Sequence, residues 1–334
     1  MTGRKRVKNA LTFKQVDNIP LETEYGVTAF ESDVLMPRFT YGAGKASGIY
    51  GVRGSRTDYW GSVWESGEDG VKGEVKVPLI NSLERKDLDK LYIPMDVLEE
   101  ADLSLVSHDC ETSGKFTMKM WGIEPFQRMQ YLRGTEELLM DIALEDDNLI
   151  ALRDKVHAFY KAEVELWAGT NVDAIHLEDD WGTQQTMLIS PSVWRQLFKP
   201  LYKEYCDIAK KHGKLVVMHS DGNIMDIIPD LIEIGIGAIN PQLNVMDYEK
   251  LSGLMNGKMA LWGGIDRQWL LPFGTEEDIK KEVTRIAGYF CSPGNSGVVG
   301  QCFRDKGAKE KNLLAVYGAW RDITSANQGL DLLS

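Results

Sequence analysis

The chain reads as an α/β protein built on a single (β/α)8 barrel, and three observations carry that reading. Short apolar runs rich in β-branched residues alternate with longer stretches of helical period, the pattern of a parallel sheet covered by helices. Several of these runs stop abruptly at clusters of carboxylates, amides and imidazole, as strands of a parallel barrel do at their carboxyl rim. The length, 334 residues, is one at which α/β barrels form one domain. The expected organisation is therefore one barrel over residues 1–334, interrupted by an irregular lid over about 41–94.

The elements follow in order. Residues 18–26, NIPLETEYG, form a first strand ending in Glu22 and Glu24. Residues 41–94 contain YGAGKASGIYG and DYWGSVWESGEDG, glycine-rich and aromatic without sustained helical period, and so predict loops and hairpins. Residues 115–121 form a strand, followed by helices from Glu124 and over 135–169, the second opening on Thr135-Glu136-Glu137-Leu138. The strand at 172–177 runs into Glu178-Asp179-Asp180-Trp181-Gly182. Ser190 caps a helix whose first position is Pro191, and that helix continues with breaks to His212.

Residues 215–242, LVVMHSDGNIMDIIPDLIEIGIGAINPQ, are the most informative segment. A strand over 215–218 meets His219-Ser220-Asp221-Gly222-Asn223; a helix with Ile224, Ile227, Ile228, Leu231 and Ile232 on one face closes at Gly235; a second strand spans 236–239. This is a βαβ unit with reactive side chains at its carboxyl end. Residues 259–263 give a strand ending near Asp266, 275–289 a helix and 297–302 the last strand. No internal repeat or low-complexity segment is present.

Composition narrows the function classes. A net charge of -12 opposes nucleic acid as a partner, since the short cluster from Arg4 to Lys8 cannot supply a phosphate-binding surface. Cys110, Cys206, Cys291 and Cys302 have no paired spacing and fit a reduced compartment. The amino terminus lacks the apolar stretch of a signal peptide and no run reaches membrane-span length, so a cytoplasmic protein with a small-molecule ligand is expected.

Chemistry concentrates at strand ends. His219 and Asp221 stand two apart, and on extended chain they point the same way and can hold one metal ion. Cys302 ends the last strand and can meet them on the rim. The alternatives are a histidine hydrogen-bonded to its loop and a small buried cysteine. Glu178, Asp179 and Asp180 crowd three carboxylates into one turn, which requires a cation, a proton or hydrogen bonds; strand alternation sends Glu178 and Asp180 one way and Asp179 the other. One of the three is expected to cap backbone amides. Glu22, Glu24, Gln184, Gln242 and Asp266 occupy comparable positions toward substrate, and Trp60, Trp64, Trp121, Trp181 and Trp262 can line an apolar pocket, with Trp121 and Trp262 equally suited to filling the barrel. His176, His157 and His212 read as structural. His108-Asp109-Cys110-Glu111 offers a second His-x-Cys pattern of unassigned place.

Several segments together resemble the uroporphyrinogen decarboxylase superfamily over nearly the whole chain. They are Asn9-Ala10-Leu11 through Asp17-Asn18-Ile19-Pro20, EDDWGTQ from Glu178 to Gln184, Ser190-Pro191 with Lys199-Pro200, and His219-Ser220-Asp221-Gly222-Asn223 followed by Pro229-Asp230-Leu231-Ile232. The resemblance implies a single (β/α)8 barrel with its active site at the carboxyl rim. The decarboxylases hold porphyrin carboxylates with an arginine-rich segment where this chain has Pro20-Leu21-Glu22-Thr23-Glu24-Tyr25-Gly26, and glutamates there would repel that ligand.

The chain is more similar to the methyltransferase branch, which moves methyl groups between corrinoid proteins and thiols or methylated and methoxylated compounds. In the thiol-methylating members a His-x-Cys pair and a later Cys bind zinc, which implies a metal on His219, Asp221 and Cys302, with Asp221 departing from the usual cysteine. The expectation is a metal-dependent methyltransferase with a separate corrinoid protein as partner, in which Glu178, Asp179 and Asp180 orient substrate or move protons. Its rivals are a metal-free decarboxylase or other lyase on a small acid, and a barrel that binds a small ligand without turnover.

Overall fold

The computed structural model describes the chain except for residues 25, 27–28, 43–52, 70–71, 121, 293, 295, 305–306 and 331–334, and the side chains of 324–330. Its centre is an eight-stranded parallel sheet of β1 (Leu21–Thr23), β2 (Val34–Leu35), β6 (Phe116–Lys119), β7 (Ala174–Glu178), β8 (Leu215–Ser220), β9 (Ala238–Pro241), β10 (Ala260–Trp262) and β11 (Val298–Cys302), in the order β1-β11-β10-β9-β8-β7-β6-β2. The two end strands meet where the Asp33 amide donates to the Leu21 carbonyl at 2.7 Å, so the sheet nearly closes into the expected (β/α)8 barrel. β3 (Gly54–Thr57), β4 (Val63–Ser66) and β5 (Glu74–Val75) form a separate antiparallel sheet within the predicted insertion. Most of YGAGKASGIYG, and Trp121, lie outside the described residues.

Strand alternation sorts side chains into two cores. Inside the barrel sit Val34, Phe116, Met118, Ala174, Val217, Ala238, Ala260, Trp262 and Val299, plugged from below by Val7 and Leu11 of the helix Gly3–Leu11. Between barrel and helices lie Ile175, Leu177, Val216, Met218, Ile239 and Leu261 with the apolar faces of helices such as Leu149–Ala168 and Glu276–Phe290. Local rules hold where the sequence signals them. Ser190 accepts from Val193 N ahead of Pro191, and Gly235 ends its helix at φ 102° in the left-handed region. To the elements read from sequence the structure adds the two-residue strand β2, the terminal helices Gly3–Leu11 and Glu310–Leu330, and the helices Met95–Glu99, Ser104–Thr112, Tyr248–Met255 and Leu270–Phe273, and it places a short helix, Arg85–Leu88, in the segment read as loops and hairpins. No described helix is long and apolar enough to cross a membrane.

A buried ion pair fastens the insertion to the barrel. Arg128 Nη1 on the helix Pro125–Arg133 meets Asp58 Oδ2 at 2.6 Å, and Nη2 meets Glu124 Oε1 at 3.3 Å, all three side chains being almost fully buried. Asp58 also accepts from the Trp60 and Ser62 amides and from Trp64 Nε1. Trp60 packs edge-on against Phe159 and Trp64 against Tyr131. Both tryptophans are buried and anchor the insertion, a correction to the sequence reading of a pocket lining: their rings fill the seam between insertion and helices.

Candidate metal centre at the carboxyl rim

Parity decides which residues reach the mouth of the barrel. Glu178 pairs with His219 and His219 with Asn240 across β7, β8 and β9, so their side chains share the interior face, as do Glu22 and Gln301 on β1 and β11. Above the strand ends, Asp180 Oδ1 lies 3.5 Å and Asp221 Oδ1 3.7 Å from His219 Nε2. Among the described residues these three form the one group of imidazole, thiol and carboxylate donors close enough to share an ion.

The imidazole is pre-oriented. Asn240 Nδ2 donates to the Trp262 carbonyl, which turns Asn240 Oδ1 toward His219 Nδ1 at 2.7 Å. Nδ1 must then carry the hydrogen, leaving Nε2 facing the two carboxylates. Burial lowers the basicity of His219, but Asp180, Asp221 and Glu178 outweigh it and hold the pKa at about 9. Burial likewise raises Asp180, while the His219 contact brings it down to about 2. The site favours a positive charge between the carboxylates, and imidazole nitrogen with carboxylate oxygen is a donor set that suits zinc and neighbouring divalent ions.

The loops after β7 and β8 are joined beyond the strands. The Asp221 amide donates to Asp180 Oδ1 at 2.8 Å, the Trp181 amide to Ser220 Oγ at 3.1 Å, and the Gly182 amide to the Asp221 carbonyl at 3.1 Å. Gly222, at φ 81°, lies so close that a methyl group there would stand 2.1 Å from the Gly182 carbonyl carbon. Glu178 Oε2 accepts from the Gly122 amide at 3.3 Å.

Asp179 turns away from His219. Its oxygens accept from the Phe126 and Gln127 amides at 3.0 and 2.7 Å and from the Tyr202 hydroxyl, closing the first turn of the helix Pro125–Arg133. Complete burial pushes its pKa up and these donors oppose that shift. Asp179 is a structural cap. Trp181 is also core, a correction to its placing at the substrate. It is fully buried, stacks on Phe126 at 4.1 Å and donates to Tyr202, because the chain has left the rim by this position.

Cys302 borders a cavity together with His219 and Asp221, but its sulfur stands outside the cluster. On β11 the interior position is Gln301; Cys302 faces the outer layer, almost fully buried, with its thiol pushed up to about 12 by burial. Gln242 Oε1 accepts from the Gly222 amide at 3.0 Å and from Gln184 Nε2 at 3.3 Å. Glu24 holds the Arg304 amide at 2.9 Å. Asp266 is occupied with the Gln268 and Trp269 amides, capping a turn beside the cavity. His108 lies exposed on the helix Ser104–Thr112, whose Asp109 pairs with Arg38 and whose Cys110 is buried, and forms no metal cluster among the described residues. Two residues that the sequence reading lacked complete the site: Asn240 behind His219, and Arg267, whose Nη2 reaches both Asp221 oxygens at 2.7 and 2.9 Å.

Glu22 lies deeper, almost fully buried, accepting from Trp262 Nε1 at 2.6 Å. Burial raises its pKa from 4.5 to about 7 despite that bond. The folded protein thus binds a proton more tightly than the unfolded chain between these values, so Glu22 makes stability fall as pH rises through that window, by about 3 kcal/mol in all. Denaturation midpoints of wild type and Glu22→Gln measured from pH 4 to 8 should diverge in this sense; parallel curves would show that Glu22 does not titrate there.

The cavity over the cluster measures about 140 Å³ and is lined by His219, Asp221, Asn240, Gln242, Arg267 and Cys302 among others. Comparison with known proteins fits this frame. Residues 75–295, which include Asp180, His219 and Asp221, match the uroporphyrinogen decarboxylase (URO-D) family. The chain belongs to that family. Among solved structures, a methyltransferase from Methanosarcina mazei shares the fold with this uroporphyrinogen decarboxylase family member at 18% identity and a TM-score of 0.68, covering 97% of this chain and 99% of its own. A structure described for inhibition of the pneumococcal virulence factor StrH and its N-glycan recognition and hydrolysis aligns at 14% identity over 55% of this chain and 51% of its own, with a TM-score of 0.29 that carries no argument. No curated protein matches the chain by sequence.

Proposed function

We propose that this member of the uroporphyrinogen decarboxylase family is a metal-dependent methyltransferase, moving a methyl group between a thiol or a small methylated or methoxylated molecule and a separate corrinoid protein. The observation that carries this reading is the convergence of Asp180, His219 and Asp221, with the histidine tautomer set by Asn240. Those three residues would hold the ion, the third donor being Asp180, with Cys302 beside them at the cavity wall. A bound divalent ion, zinc by preference for such donors, supplies Lewis acidity toward a thiol sulfur or a leaving oxygen.

The remaining work falls to the chain's own groups. Asp180 keeps one oxygen on Gln127 Nε2 at 3.0 Å and the other on the Asp221 amide, so its position is fixed as it orients substrate or passes a proton. Gln184 and Gln242 border the entrance with Arg267. A cavity of about 140 Å³ is smaller than the roughly 300 to 1,000 Å³ of typical ligand sites, which suits a small methyl donor or acceptor rather than a tetrapyrrole. Glu22, buried with its pKa raised to about 7, and Glu24, held by Arg304, offer no cation where porphyrin carboxylates would have to be held.

Elemental analysis of protein purified without added metal tests the reading directly: one equivalent of a divalent metal is expected. Asparagine at each neighbouring aspartate then separates role from support. Asp180→Asn should lower methyl transfer by about 100-fold or more with little change in folding. Asp179→Asn should instead cost roughly 1 to 3 kcal/mol of stability by weakening the buried cap. Metal-free protein that turns over a small acid would favour the lyase reading, and full activity in Asp180→Asn would remove that carboxylate from the mechanism.

A further inference from the structure

Arg267 follows β10 on a loop that passes through Gly263 and Gly264, both in the left-handed region at φ 98° and 119°. Its Nη2 donates to both oxygens of Asp221, and among the described residues its guanidinium makes no other hydrogen bond. One nitrogen of a five-donor fork is committed, which leaves Nε and Nη1 for another acceptor. The Arg267 and Asp221 side chains are 38% and 36% exposed, enough for the long arginine to swing. Among the residues that line the cavity, Arg267 alone carries a fixed positive charge.

The carboxylate that Arg267 holds is also a member of the cation cluster. A guanidinium and a divalent ion on the same two oxygens repel one another, so each must weaken the other's hold on Asp221. We propose that Arg267 is a movable anchor: it neutralises Asp221 while no ion is bound, and, displaced when an ion takes that carboxylate, it turns its fork to an oxyanion of the substrate, a carboxylate, sulfonate or phosphate. This rests on the metal site proposed above and adds a substrate class to it. Because binding couplings are reciprocal, an oxyanion that draws Arg267 away must tighten metal binding, and metal must tighten oxyanion binding.

Titration of metal-stripped protein with cobalt(II), followed calorimetrically with and without excess methanesulfonate, tests the anchor without any assay of turnover. Arg267→Gln should bind cobalt about tenfold more tightly than wild type. Methanesulfonate should tighten cobalt binding in wild type and leave Arg267→Gln unchanged. Equal cobalt affinities in the two proteins, or the same methanesulfonate response in both, would overturn the anchor while leaving the metal site standing. Cobalt binding by neither protein would remove the metal site and the anchor together.

Discussion

His219→Ala is expected to abolish stoichiometric metal and to lower methyl transfer by about 1,000-fold or more, with the fold intact. The size of the effect follows from loss of the only nitrogen donor in the cluster, which leaves two carboxylates whose charges oppose one another. The fold should survive, because Asp221 keeps Arg267 and Asp180 keeps Gln127 and the Asp221 amide. A stability change of about 1 to 2 kcal/mol is therefore expected for this rim residue, whose side chain is 13% exposed. Asn240→Ala should be milder, roughly 10- to 100-fold in metal affinity, since it frees the imidazole without deleting it. Stoichiometric metal retained in His219→Ala, measured by elemental analysis beside a denaturation curve, would place the ion elsewhere.

The largest stability loss is expected from Arg128→Met. Methionine fills much the same volume but leaves Asp58 buried without its cation and Glu124 with only Lys72, 4.0 Å away. Breaking such a pair from one side costs about 3 to 5 kcal/mol, well above the cost of an exposed bridge such as Lys203 with Asp207. Burial already pushes Glu124 up to about 6, so it should take a proton in the variant and recover part of the loss at low pH. Urea denaturation at pH 7 and pH 5 reads both effects, with Asp58→Asn added to Arg128→Met as the compensating pair. A midpoint unchanged from wild type would mean that the insertion is held by its tryptophans alone.

Much of this architecture was legible from periodicity, because buried parallel strands and amphipathic helices carry strong, different repeats. The strand β2 was not, being two residues long and too short to show a period. At the site, alternation correctly separated Asp180 from Asp179, since both follow a regular strand whose parity persists through its end. The same rule counts against Cys302, where an interior Gln301 precedes it; a cysteine draws the eye as a ligand, while parity gives that direction to an amide. Asn240 and Arg267 carried no local signal, since one acts behind a histidine 21 positions away and the other across 46. The tryptophans at 60, 64 and 181 show the remaining ambiguity: hydropathy cannot tell an aromatic ring that lines an opening from one that seals a seam.

The contact of Gly182 with Gly222 bears on which ions the centre can accept. Backbone meets backbone there with no side chain between, so the turns that bring Asp180 and Asp221 to His219 cannot slide apart independently. Calcium needs six to eight oxygens at about 2.3 to 2.6 Å, and a cradle of fixed span gains nothing by stretching toward it. Ions of smaller radius, satisfied by few ligands at about 2.0 to 2.2 Å, would ask less of it. Size discrimination would thus be written into two glycines that touch no ion at all.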